Sequence, residues 1–212
     1  MRLPPLTQLE TEWLILRPLA PGDAPALFEQ MLSDPETMKY LPIGRHGDLA
    51  QTHAYIAEAR RGWRSRTLIR YACECRATGQ LAGVIELTPD LPCVRLSVMI
   101  AKRGGTRRRR ACLMALQELL GWLLAQRGVQ RIYAHCVAGG PAGNSIERLG
   151  FRCEAVLKRH EPQPNRDLPA ADCLLYVLTR RTYPCAPAPD AGTWLSDLLR
   201  DSSAAARAVT RA

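Results

Sequence analysis

The residues best suited to chemistry lie in a basic, glycine-containing segment, Lys102–Arg110, which reads KRGGTRRRR. It follows an apolar run, Val94–Ala101, and precedes a helical pattern, Ala111–Gln126, so we predict a turn between a strand and a helix. Backbone N–H groups at a helix start have no partner within the helix, and the helix dipole favours an anion there. Guanidinium groups add bidentate bonds to phosphate oxygens. The segment therefore predicts a phosphate-binding site.

The overall charge agrees with an anionic partner. The chain of 212 residues carries a net charge of +9 and has a sequence pI near 9.5. Nucleotide phosphates, nucleic acid and acidic surfaces all fit such a charge. The four arginines Arg107–Arg110 also suit nucleic acid, but no aromatic residues are interleaved with them for base stacking. We therefore do not expect nucleic acid to be the partner.

Eight cysteines invite a metal or disulfide interpretation, which their spacing does not support. There is no Cys-x-x-Cys pair, and no histidine lies at ligand spacing beside a cysteine. We expect no metal site, and free thiols at this density indicate a reducing compartment. Neither a signal peptide nor a long apolar segment is recognisable, so we expect a soluble, cytoplasmic protein without a membrane span.

Hydrophobic periodicity and turn residues predict alternating helices and strands. The first elements are a strand, a helix, a loop and a capped helix: Leu14–Leu19, Ala24–Ser33, Met38–Gly47 and a helix after Asp48. Three runs with short turns then predict an antiparallel meander: Leu68–Arg76, Leu81–Leu87 and Val94–Ala101.

The second half of the chain predicts a parallel strand pair and a closing strand pair. Val129–Val137 follows the helix Ala111–Gln126, and this order implies a parallel crossover to Val94–Ala101. The remaining elements are a short helix, two strands and a Pro-rich loop between the strands: Pro141–Leu149, Phe151–Lys158, Cys173–Thr179 and Glu161–Pro169. We predict one domain over residues 8–183, and a Pro/Ala-rich linker with a short amphipathic helix over residues 184–212.

Three local motifs resemble the GNAT N-acetyltransferase superfamily, in the branch that includes ribosomal-protein alanine N-acetyltransferases. They are Glu10–Pro18 followed by Asp23, the run Ile146–Arg152, and the run Ala171–Tyr176. The resemblance covers about residues 8–183. It implies an α/β (α+β) fold with a mixed, mostly antiparallel sheet of about six or seven strands, flanking helices and a splayed parallel strand pair.

The resemblance also implies that acetyl-CoA binds between the two splayed strands, with its pyrophosphate on the following turn. The implied binding residues are Val98, Met99, Ile100, Arg103, Gly104, Gly105, Thr106, Arg107, Arg108, Arg109, Arg110 and Asn144. The chain departs from the family pattern, because arginine or threonine stands where the turn of relatives carries glycine. The asparagine that relatives place before the Leu-Gly-Phe turn is Gly139 here, with Asn144 nearby.

Amine acetylation needs a base for the amine and a proton for the leaving thiolate. Glu86, on the strand beside the implied cofactor strand, is a candidate base, although a solvated hairpin residue is an equal alternative. His135 is a second candidate because its ordinary pKa is near neutrality, although a strand histidine is often structural. Tyr133 shares the face of His135, and Ser145 is the hydroxyl of the late helix, so both are candidate proton donors.

The expected acceptor is a primary amine, either a peptide N-terminus or a small molecule. The resemblance places it near Arg17, Glu36 and Tyr40, each of which also has a structural interpretation. The alternative function is a catalytically weak relative that binds CoA or a protein partner without turnover. The oligomeric state stays open, with a homodimer as one possibility.

Overall fold

The computed structural model describes residues 2–4, 6–103 and 105–183, except for the side chain of Thr106. The linker and helix predicted for residues 184–212 lie outside the described residues, and so does Gly104. Among the described helices, none is both long enough and apolar enough to cross a membrane.

The described chain forms one mixed sheet of eight strands in the order β1-β2-β3-β4-β5-β6-β8-β7. All neighbouring pairs are antiparallel except β5 and β6. The strands are β1 Leu9–Glu10, β2 Leu14–Pro18, β3 Ile69–Cys75, β4 Leu81–Asp90, β5 Cys93–Ile100, β6 Arg131–Val137, β7 Arg152–Gln163 and β8 Leu168–Leu178. The predicted fold class is confirmed, with a sheet slightly wider than expected.

Helices cover both faces of the sheet. They are α1 Ala24–Leu27, which continues into a π-helical turn Phe28–Leu32, then α2 Pro35–Met38, α3 Leu49–Ser65, α4 Gly105–Ala125 and α5 Gly143–Arg148. Side-chain caps explain two of the starts. Asp48 accepts a hydrogen bond from the backbone N–H of Gln51, and Asp34 accepts one from Thr37.

Two apolar cores lie on opposite faces of the sheet. On one face, Leu27 and Ile56 belong to the cluster that includes Val84 of β4. On the other face, Leu119 and Leu123 of α4 belong to the cluster that includes Leu16, Ile85 and Leu96. The clearest apolar stripe of the sequence is thus a core stripe, as its spacing predicts.

The parallel strands separate after a short paired region. Their last paired residues are Arg95 and Tyr133, yet β5 continues to Ile100 and β6 to Val137. Over that distance β5 stays paired with β4, and β6 stays paired with β8. The sheet therefore divides into two halves that diverge, which confirms the predicted splayed pair.

The boundary predicted for the basic turn is wrong, because α4 begins at Gly105 rather than at Ala111. The apolar periodicity begins only at Ala111, so it misses the preceding arginines, which are exposed or half-buried. Arginine is a good helix former, and no helix-breaking residue follows Gly105 in this region. Gly105 has a φ of 68°, which favours glycine at the entry to the helix.

The long loop predicted for Glu161–Pro169 is also wrong. β7 and β8 extend through most of it and meet at a 3-10 turn, Pro164–Arg166. The prolines favoured a loop assignment, but β7 is an edge strand, where the missing N–H of Pro162 need not break the ladder. The result is a long hairpin.

Candidate active site

A cavity of about 240 Å³ occupies the space between the diverging strands. Its walls are Leu96–Ile100 of β5 and Ala134–Val137 of β6, with Arg109 of α4, Ser145 of α5 and Glu36 of α2 at its edges. On the β6 side, the backbone of β5 beyond Arg95 has no strand partner. Unpaired backbone of this kind is available to a ligand that binds as an added strand.

The turn between β5 and α4 is tied to α2. The backbone N–H of Lys102 donates to Thr37 Oγ1 (3.0 Å), and that hydroxyl donates to Asp34 Oδ2 (2.6 Å). Asp34 is the N-cap of α2, so one carboxylate fixes both the short helix and the turn beside it. Lys102 and Thr37 both line the cavity.

The arginines at the start of α4 point to different partners. Arg109 donates from Nη2 to Ser145 Oγ (2.6 Å) and lines the cavity. Arg108 instead donates to the backbone oxygen of Arg103 (2.7 Å) and to Gln80 Oε1 (3.1 Å). Arg109 therefore faces the cavity, while Arg108 secures the turn.

The other residues predicted near this turn are spread around it. Arg107 is exposed, and the Nε atom of Arg110 is buried without a hydrogen-bond partner in the described chain. Asn144 is exposed on α5 and does not line the cavity.

An adjoining cavity of about 180 Å³ shares part of the β5 wall and contains Glu86 and Ser97. Arg70 Nε donates to Glu86 Oε2, and Arg70 Nη1 donates to Glu58 Oε2 (2.6 Å). The Arg70 guanidinium also lies over the ring of Tyr55, 3.9 Å from its centroid. Glu86 is therefore half-buried and paired, rather than a freely solvated hairpin residue.

His135 lies beside a carboxylate that the sequence analysis missed. Its Nδ1 is 3.1 Å from Glu161 Oε1, and Arg95 Nη2 donates to the same oxygen (2.7 Å). Burial lowers the pKa of His135, and the Glu161 carboxylate opposes part of that change. The ring of Tyr133 packs near His135 at a centroid distance of 5.7 Å, but Tyr133 is not among the residues that line the cavity.

The hairpin tip closes the cavity on the side of the loop that follows α2. Asn165 Nδ2 donates to the backbone oxygens of Met38 (2.8 Å) and Ile43 (2.9 Å), and its Oδ1 accepts from the N–H of Arg45 (2.8 Å). Tyr40, in this loop, lines the cavity. One asparagine thus joins two distant chain segments.

Arg17 does not reach either cavity. Its guanidinium donates to both oxygens of Asp23 (2.8 Å each) and to Glu74 Oε2 (2.6 Å). Three bonds to carboxylate oxygens give it a structural role between β2, β3 and the turn before α1.

The main cavity brings together eight of the nineteen predicted site residues. Those that line the main cavity are Glu36, Tyr40, Val98, Met99, Ile100, Arg109, His135 and Ser145. Among the described residues, no group of three or more histidine, cysteine or acidic side chains is arranged to hold a metal ion.

Comparisons with known proteins agree with this geometry. A family model described as "Acetyltransferase (GNAT) domain" matches residues 14–152, which is more than half of the chain. No curated protein matches the sequence well enough to add to this.

Three solved structures illustrate the shared fold. The acetyltransferase (GNAT family) from Bacillus anthracis is 19% identical, with a TM-score of 0.68, over 81% of this chain and 98% of that chain. The ribosomal-protein-S5-alanine acetyltransferase from Vibrio fischeri is 11% identical, with a TM-score of 0.70, over 83% and 98%. RimL, a ribosomal L7/L12 alpha-N-protein acetyltransferase solved with coenzyme A, is 16% identical, with a TM-score of 0.69, over 80% and 95%.

Proposed function

The chain belongs to the GNAT acetyltransferase family, and on this basis we propose that it transfers an acetyl group from acetyl-CoA to a primary amine. The acceptor amine attacks the thioester directly while both substrates are bound. The cytoplasmic location and the homodimer remain predictions.

The observation that carries the proposal is the cavity between the splayed strands. The open backbone edge of Val98–Ile100 suits the pantetheine arm, which contains amides that can pair with a strand. The half-buried and buried walls suit a thioester, which must be shielded from water while it waits for the amine. The residues present therefore fit acetyl-CoA.

The phosphates of acetyl-CoA are proposed to lie at the start of α4. A helix of 21 residues presents unpaired N–H groups at its first turn, and Arg109 and Lys102 add positive charge at the cavity. The segment Arg103–Arg110 is proposed as the phosphate site as a whole, with Arg109 as its principal side chain because it faces the cavity. Arginine in the first turn of a helix causes no backbone strain, since Gly105 already supplies the positive φ.

The proposed chemistry uses side chains at the cavity walls. His135 is the favoured base because its imidazole lines the main cavity, and Glu86 is the second candidate because it lines the adjoining one. Ser145 is proposed to hydrogen-bond the leaving thiolate and relay a proton from water to it. The contact with Arg109 is compatible with this role, because Arg109 donates to the oxygen of Ser145 and the hydroxyl proton stays available as a donor. Tyr133 is proposed to act through His135, since its ring packs against the imidazole.

The acceptor is proposed to enter beside the loop that follows α2. Glu36 and Tyr40 line this part of the cavity, and a carboxylate there can attract a cationic amine. Peptide N-termini and small-molecule amines both fit this description.

Two measurements on the purified protein test the proposal. Isothermal titration with acetyl-CoA should show saturable binding, and acetyl-pantetheine is the matched control because it keeps the thioester but lacks the nucleotide phosphates. Acetyl-pantetheine cannot form the charge-assisted bonds to the phosphates, so it should bind roughly 100-fold or more weakly than acetyl-CoA. Thiol release with a panel of peptides and small amines, with the product identified by mass spectrometry, then tests turnover.

The outcomes separate the proposal from its alternative. Binding of acetyl-CoA together with amine-dependent thiol release supports the transferase. Binding of acetyl-CoA without thiol release in the presence of any amine favours a relative that binds CoA without turnover. Two features of the sequence motivate this alternative: the arginines in the first turn of α4 and the absence of tyrosine from helix α5. No binding of acetyl-CoA contradicts both.

A further inference from the structure

We propose that Glu161 is a positioning residue for His135. In this arrangement Glu161 holds the imidazole with its proton on Nδ1, so that Nε2 faces the cavity as the base for the acceptor amine. The inference rests on the proposed acetyl transfer and deepens it, because it names the atom that receives the proton and the residue that orients it.

The contact between the two side chains fixes the tautomer. An ionised carboxylate only accepts hydrogen bonds, so the ring nitrogen that it contacts must carry the proton. That nitrogen is Nδ1 of His135, 3.1 Å from Glu161 Oε1. Nε2 has no hydrogen-bond partner in the described chain, and both residues line the main cavity. The free lone pair of Nε2 is therefore the basic site of the pair.

The backbone of β7 is bent in a way that brings Glu161 to this position. The pairing of β7 with β8 is irregular on both sides of Glu161, and Arg159 has a φ of 47°. The strand is exposed at Lys158, Arg159 and His160, and then buried at Glu161. β-Bulges re-aim side chains and occur next to active sites, and a positive φ at a residue other than glycine carries strain. The contact between the Glu161 carboxylate and His135 provides a reason for the strained backbone at Arg159.

Arg95 pairs with the carboxylate and holds it in place. Glu161 has a side chain that is only 8% exposed, and a buried carboxylate needs a charged partner or strong hydrogen bonds. Arg95 supplies this from the last paired position of β5, at the point where the strands separate. Three strands thus each contribute one member: Arg95 from β5, His135 from β6 and Glu161 from β7.

Charged and titratable groups lie on every element around the imidazole, and Glu161, Arg95 and His160 are the ones that shift its pKa. The groups around the imidazole come from β5, β6, β7, β8 and the loop and helix across the cavity: Arg95, Tyr133, His160, Glu161, Cys173, Glu36 and Tyr40. Burial lowers the pKa of His135, the Glu161 carboxylate raises it in part, and Arg95 and His160 lower it further. The net lowering keeps the imidazole neutral at neutral pH, which is the form that accepts a proton.

The proposed step balances without any further reagent. The amine nitrogen forms a bond to the thioester carbonyl carbon, and the proton that it loses moves to Nε2 of His135. The carbon–sulfur bond breaks, and the imidazolium returns its proton to water, from which the hydroxyl of Ser145 relays a proton to the thiolate. Glu161 stabilises the imidazolium while it exists and does not itself become protonated.

Four variants of the full chain separate a positioning role from a structural one. Glu161→Gln keeps the size of the side chain but removes its charge. His135→Asn keeps an N–H that can reach Glu161 but removes Nε2. The double variant combines these two changes. The matched control is Glu154→Gln, which changes a carboxylate on the same strand that pairs with Arg131 outside the cavity.

The expected kinetic results follow from the proposed roles. General acid–base catalysis contributes roughly 100- to 10,000-fold, so His135→Asn should lower kcat by about 100-fold or more. Glu161→Gln should lower kcat by about 10-fold while KM for acetyl-CoA stays within about twofold, because orientation and imidazolium stabilisation are lost but binding is not. The double variant should be no slower than His135→Asn alone, since the two residues act as a unit. Glu154→Gln should match the wild type.

The pH profile gives a sharper readout. His135 is active when neutral, so kcat/KM should rise with pH through the pKa of His135. Glu161→Gln removes a group that raises that pKa, so the acidic limb should move to lower pH. Two acceptors with different amine pKa values show whether the acidic limb belongs to His135 or to the acceptor. If it belongs to His135, it moves in Glu161→Gln and stays in place when the acceptor is changed. An unmoved limb, or independent losses in the double variant, would overturn the proposal.

Nitrogen-15 NMR of histidine-labelled protein tests the tautomer without turnover. The chain has four histidines, and His135→Asn assigns the resonance of His135. The neutral ring should carry its proton on Nδ1, and its pKa should fall in Glu161→Gln. A proton on Nε2 in the neutral ring contradicts the positioning role, whatever the activity. Failure of the acetyl transfer itself is recognised separately, as wild-type protein that neither binds acetyl-CoA nor releases thiol.

Discussion

The side of the cavity proposed for acetyl-CoA, formed by β5 and the start of α4 and called the cofactor side below, comes from one continuous stretch of chain. The side proposed for the amine, formed by residues 39–47 and the β7–β8 hairpin and called the acceptor side below, joins segments that are far apart in sequence. Asn165 and Met38, which meet there, are 127 residues apart. The first side is a strand followed by a helix, whereas the second depends on a hairpin reaching across the cavity.

The two sides are also held by different forces. On the cofactor side, β5 is paired with β4 along its whole length, and α4 packs an apolar stripe on the sheet. On the acceptor side, a few polar contacts of Asn165 and Glu161 provide the connection. Strand pairing and apolar cores tolerate most surface substitutions. A polar contact is abolished by a single substitution that removes its donor or acceptor atom. We therefore expect acetyl-CoA binding to be robust and acceptor binding to be easily altered.

Gly83→Ala tests the support of the cofactor side. A Cβ on Gly83 would lie 2.5 Å from the backbone oxygen of Met99, so β4 and β5 would have to move apart. Overpacking of this kind costs about 1–3 kcal/mol, measured as the free energy of unfolding in urea. Gly22→Ala is the control, because nothing lies within 4 Å of the added atom. Unchanged stability in Gly83→Ala would show that β4 does not fix the position of β5.

Arg109→Ala should act on the cofactor side alone. Loss of a cavity-facing guanidinium removes a charge-assisted bond worth about 1.5–3 kcal/mol, so Kd for acetyl-CoA should rise by roughly 10- to 100-fold in calorimetry. The acceptor KM should change little. Arg127→Ala, an exposed arginine near the other end of α4, is the control for general charge. If the two variants bind acetyl-CoA with equal Kd, Arg109 does not contribute to a phosphate site.

Asn165→Ala should act on the acceptor side alone. It removes the bonds to Met38, Ile43 and Arg45, so the loop is no longer held against the hairpin. We expect the acceptor KM to rise by about 10-fold, from net hydrogen-bond energies of about 1 kcal/mol each that are partly replaced by water. Kd for acetyl-CoA should stay at the wild-type value. Leu168→Ala, at an exposed position of the same hairpin, is the control. A rise in Kd for acetyl-CoA instead would show that the two sides are not independent.

The same difference explains what the sequence could predict. The strands of the meander and the α4 stripe follow from local periodicity, and the parallel pair follows from element order. The splaying of that pair was implied by the family resemblance, and the structure confirms all three features. Even there, periodicity placed the start of α4 at Ala111, because the arginines after Gly105 carry no apolar signal.

The contacts of the acceptor side could not be predicted in this way. Glu161 was assigned to a loop because prolines surround it, and its meeting with His135 depends on irregular pairing in β7. The family resemblance placed the acceptor near Arg17, but the guanidinium of Arg17 is paired with the carboxylates of Asp23 and Glu74. Spacing along the chain does not encode partners that only the tertiary fold brings together.

Asp23→Asn tests a region outside both sides, and it should change neither binding constant. Burial alone would raise the pKa of Asp23, but the bonds from Arg17 and from the N–H of Ala20 outweigh it and lower the pKa below its ordinary value. A depressed folded-state pKa means that the contribution to stability is fully present above the unfolded pKa and is lost as pH falls through the folded one. Asp23→Asn should therefore lose about 1–2 kcal/mol of unfolding free energy at neutral pH, and the difference from wild type should shrink below about pH 4. Kd for acetyl-CoA and the acceptor KM should both keep their wild-type values. A higher acceptor KM at unchanged stability would instead mean that Arg17 serves the acceptor, and the acceptor side would then extend to β2.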